Sequence, residues 1–68
     1  MQISARNQIK GTVTDVKDGV VTAQVTVDIG GGNVIVSSIT LESAKNLGLA
    51  VGKEVTVIVK ASDVMLGA

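Results

Sequence analysis

The chain has 68 residues, of which 46% are apolar and only 18% charged, and its six basic residues balance six acidic ones for a net charge of zero. It contains no cysteine, histidine, proline or aromatic residue. This composition excludes disulfide and Cys/His zinc frameworks, a long-range field that would recruit polyanions or acidic membranes, and an aromatic platform for nucleic-acid bases. The length allows one domain, residues 1–68, and a domain near this size buries only roughly 60% of the surface its unfolded chain exposes. A core made from thirteen valines, six isoleucines, four leucines and the alanines therefore needs outside support, and with disulfides and metals excluded that support is oligomerisation. The N-terminus lacks a basic segment followed by an apolar one, and no apolar run approaches the roughly 20 residues that span a bilayer. A soluble, cytoplasmic protein with no membrane partner is the expectation.

The first element is "IKGTVTDV", where Ile9, Gly11 and Val13 alternate with Lys10, Thr12 and Thr14 as in a half-buried strand. "KDG" follows as hairpin-turn chemistry. Residues 20–29, "VVTAQVTVDI", then place Val21, Ala23, Val25, Val27 and Ile29 on one face and Thr22, Gln24, Thr26 and Asp28 on the other. The run "GGGN" is a turn, and "VIVSSI" after it is rich in the β-branched residues of a third strand. "TLESAKNLGLAVG" changes period: Leu41, Ala44 and Leu47 recur at helical spacing, Thr40 suits the N-cap, Glu42 the first turn and Gly48 the position just past the end. "KEVTVIVK" returns to strand, with Val55, Val57 and Val59 on one face, and "DVML" reads as a short fifth strand. The fold class is thus all-β with one short helix. The element order is that of a five-stranded OB-like barrel, although small SH3-like barrels compete with it.

Little of this inventory supports catalysis. Without histidine or cysteine, acid–base work would fall to carboxylates or lysine, and the six acidic residues show no pairing in sequence. Ser62 and Lys60 lie two apart, a spacing that shares a strand face without bringing nucleophile and base into hydrogen-bond reach. "GGGNV" lacks the Lys and the following helix of a phosphate-binding P-loop, and the acids around "DVKDG" lack calcium-loop spacing. No metal cation, organic cofactor or enzyme activity is expected.

Two clusters of hydrogen-bond donors remain, one at each end of the chain. "SARN" supplies Ser4, Arg6 and Asn7, and "KAS" supplies Lys60 and Ser62. Hydroxyls, an amide, a guanidinium and an ammonium, with nearby backbone N–H groups, suit a small oxyanion. A site presenting donors alone satisfies a fully deprotonated tetrahedral dianion, whereas a protonated phosphate would leave its own O–H without an acceptor. Taken singly, Arg6 and Lys60 are also what an ordinary solvated or interface charge looks like.

Three longer stretches carry a resemblance: "SARNQIKGTV", "ITLESAKNLGLAVGKEV" and "VIVKASDVML". Across essentially the whole chain they resemble the molbindin, or Mop, family of small molybdate-binding domains, and the SARN and KAS segments match without departure. The resemblance implies an OB-like barrel, a homo-hexamer built as a trimer of dimers, and binding of molybdate or tungstate at subunit interfaces without catalysis. It further implies that Ser4, Ala5 and Arg6 face Lys60, Ala61 and Ser62 across an interface, with Asn7 supporting them. A second class of site near the threefold axes belongs to the family too, with no motif here to place it. The function expected is intracellular molybdate storage or homeostasis. The alternative is an assembly module whose oligomer has no small-molecule ligand and serves a protein partner.

Overall fold

A computed structural model of the chain describes residues 3–68. Its elements in order are β1 (Asn7–Asp18), β2 (Thr22–Gly30), β3 (Asn33–Thr40), α1 (Leu41–Leu47), β4 (Glu54–Val59) and a 3-10 turn, Ala61–Asp63. The four strands make one antiparallel sheet in the order β3-β2-β1-β4. The long first strand has two partners. Its first half pairs with β4, from Asn7 opposite Val59 to Thr12 opposite Glu54, and its second half pairs with β2, from Thr12 opposite Asp28 to Asp18 opposite Ala23.

The sheet curls over a core of Val13, Val25 and Val27, against which Val16, Ile29, Ile39, Leu49, Val55 and Val57 pack. Strict alternation would send Val13 and Val16 to opposite faces. A bulge between Val13 and Asp15 adds the extra residue that turns both inward, leaving Thr14 and Asp15 exposed together. Gly11 permits the curl just before the bulge. A Cβ there would lie 2.6 Å from the Val27 side chain and 2.7 Å from the Asp28 carbonyl oxygen, so β1 crosses β2 too closely for any other residue.

The helix begins and ends as its sequence dictates. Thr40 caps it, accepting a hydrogen bond from the Ser43 N–H at 3.0 Å, and Gly48 closes it with a left-handed φ of 64°. The Lys53 ammonium donates to the Leu47 carbonyl, so a cation meets the negative end of the helix. Ala44 is its buried residue, whereas Leu47, expected on the same inner face, is 58% exposed. The chain reverses at Gly48, and Leu49 packs against the core where a longer helix would have used Leu47.

Two further expectations change. Alternation places Val21 on the inner face of the second strand, but β2 starts only at Thr22 and residues 19–21 make the turn, closed by Gly19 N–H to Thr22 O at 2.7 Å. Val20 and Val21 therefore stand exposed, and the Val21 carbonyl accepts from the Leu41 N–H instead. The fifth strand over "DVML" does not form among the described residues. After the 3-10 turn the backbone pairs with neither β3 nor β4, and Met65 and Leu66 are 93% and 94% exposed. The single chain is thus a curled four-stranded sheet with open edges on β3 and β4, and between them lies an apolar hollow lined by residues such as Val25, Ile35, Leu49 and Val57.

Candidate oxyanion site

The β1–β4 ladder decides where the donor clusters lie. Its last pair is Asn7 opposite Val59, so Arg6 and Lys60 are the next residues on adjacent strands as both leave the sheet. Two segments more than fifty positions apart in sequence therefore emerge from one end of one ladder. Ser4, Arg6, Lys60, Ala61 and Ser62 are exposed, while Ala5 and Asn7 are half-buried. The alternation separates Arg6 from Asn7: Arg6 shares the outward side of β1 with Gln8 and Lys10, and Asn7 shares the inward side with Ile9 and Gly11. Asn7 therefore lies, half-buried, on the opposite side of the strand from Arg6.

The KAS segment has its own geometry. Lys60 precedes the 3-10 turn in extended conformation, and the bonds of the turn run from Asp63 N–H to Lys60 O at 2.9 Å and from Val64 N–H to Ala61 O at 3.3 Å. In such a turn the N–H groups of Ala61 and Ser62 have no carbonyl partner inside it. Ala61, which has no polar side chain, thus carries a backbone N–H that the turn leaves unused, between Lys60 and Ser62 in the chain. Arg6 and Lys60 stand one step past the last pair as exposed like charges on neighbouring strands.

Two hollows on the described residues are lined elsewhere. One is the apolar hollow between β3 and β4, and the other is an open groove along Lys10, Thr12, Asp28, Glu54 and Thr56. No group of three or more Asp, Glu, His or Cys side chains among the described residues is gathered to hold a cation. The Arg6–Lys60 end gathers exposed cationic and hydroxyl side chains on a single chain, with the Asp63 carboxylate in the adjoining turn. Sequence reasoning did not single out Lys10 or Gln8, although the period-two alternation that puts them beside Arg6 is legible in "RNQIK".

A family model described as the TOBE domain matches residues 3–66. The molybdenum-pterin-binding protein 2 of Clostridium pasteurianum is 54% identical over 66 residues, covering 97% of each chain. The chain is a TOBE domain of the molbindin family. Among solved structures, this molbindin chain superposes on a molybdate-binding protein from Sporomusa ovata with a TM-score of 0.93 at 35% identity, covering all of both chains. It also superposes on the cytoplasmic molybdate-binding protein ModG in its molybdate-bound form, with a TM-score of 0.85 at 54% identity over 90% of this chain and 43% of that one. The molbindin chain thus matches about half the length of ModG and the full length of the smaller relatives.

Proposed function

We propose that residues 1–68 act as one oxyanion-binding domain that holds molybdate, and tungstate by the same chemistry, for intracellular storage or homeostasis, without catalysis and without an organic cofactor. The observation that carries this reading is the convergence of SARN and KAS at one end of the β1–β4 ladder, in a chain whose relatives are named for molybdenum binding. Ser4, Arg6, Lys60 and Ser62 supply side-chain donors and Ala5 and Ala61 supply backbone donors, with Asn7 holding the strand end. The site is completed between copies, because on one chain these residues are open to solvent. The assembly is a homo-hexamer, a trimer of dimers, in the cytoplasm. Its five-stranded barrel is completed on assembly, where the open edges of β3 and β4 and the exposed Met65 and Leu66 find partners.

Ligand that binds only the assembled state stabilises it by mass action, by about 2.7 kcal/mol when free anion stands about 100-fold above Kd. For a domain of this length the melting temperature is expected to rise by roughly 10 °C or more. Thermal melts with sodium molybdate and with sodium chloride at matched ionic strength check this. A rise with molybdate alone supports the receptor, whereas equal shifts with both salts favour the ligand-free assembly module.

A further inference from the structure

The outward face of the β1–β4 pair changes sign along its length. At the candidate site stand Arg6 and Lys60, followed by Gln8 opposite Ile58 and then Lys10 opposite Thr56. Two residue pairs further on, Thr12 is flanked by Glu54 on β4 and Asp28 on β2. All of these residues except Arg6 and Lys60 lie within the paired strands, and Lys10, Thr12, Asp28, Glu54 and Thr56 line one open groove. Three of the six basic residues of this neutral chain, Arg6, Lys10 and Lys60, therefore lie along this face from the site up to its first paired carboxylates, Asp28 and Glu54, while Asp63 stands in the turn just past Ser62.

We propose that Lys10 is a steering residue for the oxyanion site, its field drawing the dianion toward Arg6 and Lys60 beyond the end of this groove and offsetting the repulsion of Asp28 and Glu54. The inference rests on the oxyanion reading above. About 13 Å of strand separates the α-carbons of Lys10 and Arg6, too far for Lys10 to share the ligand's shell. That distance is somewhat more than the roughly 10 Å Debye length at 0.1 M salt and well inside the roughly 30 Å at 0.01 M. The contribution is therefore to the encounter rate, and salt removes it. Lys10 is also diagonal to Glu54 across the strands, so neutralising it leaves both carboxylates facing the incoming anion uncompensated.

Stopped-flow mixing of the full chain with sodium molybdate tests this. Lys10→Gln is expected to lower the association rate constant about threefold at 0.01 M ionic strength and to leave it unchanged at 0.5 M, with the dissociation rate unaltered. Glu54→Gln is expected to move the low-salt rate in the opposite direction. An association rate for Lys10→Gln equal to wild type at low salt would overturn the inference, as would a loss that persists at high salt or appears in dissociation. Failure of the wild-type chain itself to bind molybdate would overturn the oxyanion reading instead, which keeps the two outcomes distinct. Melting of each variant without ligand separates a rate effect from a folding defect.

Discussion

Arg6→Ala is expected to weaken molybdate binding about 100-fold while leaving the fold in place. The guanidinium is the only arginine side chain in the molecule and offers a planar fork of donors that matches two oxygens of a tetrahedral anion. A hydrogen bond to a charged partner contributes about 1.5–3 kcal/mol, or roughly ten- to 150-fold in affinity, and losing the fork also leaves the anion with fewer donors than acceptors. Arg6→Lys keeps the charge without the fork, so its loss should fall between wild type and alanine. The ladder begins at Asn7 and Arg6 itself is exposed, so no core contact goes with the side chain. Removing one of two neighbouring like charges should leave the ligand-free melting temperature unchanged or slightly raised. Calorimetry and melting on one preparation check both halves. An unfolded variant, or one that binds as tightly as wild type, would contradict the assignment of Arg6.

Gly11→Val is expected to be the most damaging substitution to the fold. The added atoms meet the Val27 side chain at 2.6 Å and the Asp28 carbonyl oxygen at 2.7 Å, and the second of these is backbone that moves only if β2 moves. Overpacking of this kind costs about 1–3 kcal/mol and more where backbone must shift. In a domain this small the cost should lower the melting temperature by more than about 10 °C. Gln24→Val on the outward face of β2 adds a β-branched side chain with no such contact and serves as the control. The site should suffer with the fold, because Gly11 lies in the same strand pairing, opposite Val55, that brings Arg6 and Lys60 together. A Gly11→Val protein that melts and binds like wild type would show that β1 need not cross β2 so closely.

The period-two stretches were legible in the sequence because burial on one face writes itself as alternation: Ala23, Val25 and Val27 on β2, and Val55, Val57 and Val59 on β4. Thr40 and Gly48 marked the helix ends because each supplies a specific hydrogen bond or backbone conformation. Alternation failed where geometry interrupts it. Val13 and Val16 share a face only through a bulge, and Val20 and Val21 have strand-forming side chains but sit where the hairpin must turn. Leu47 kept helical spacing, yet the helix ends there and Leu49 takes its place. "DVML" has the composition of a strand, but pairing needs a neighbour, and among the described residues it pairs with none, although the edges of β3 and β4 are open. For the site, composition identified donors and the motifs identified which ones; their meeting at one ladder end is a matter of register, which a sequence does not display.

The central claim is that this chain is an interface-assembled receptor for a tetrahedral dianion. Calorimetric titration with molybdate, with sulfate and phosphate as controls and particle mass measured on the same sample, tests it most directly. Saturable binding of molybdate alone, at a non-integer number of anions per chain and on particles of hexamer mass, is the predicted result. Absence of molybdate binding, or one anion held by each monomeric chain, would contradict it.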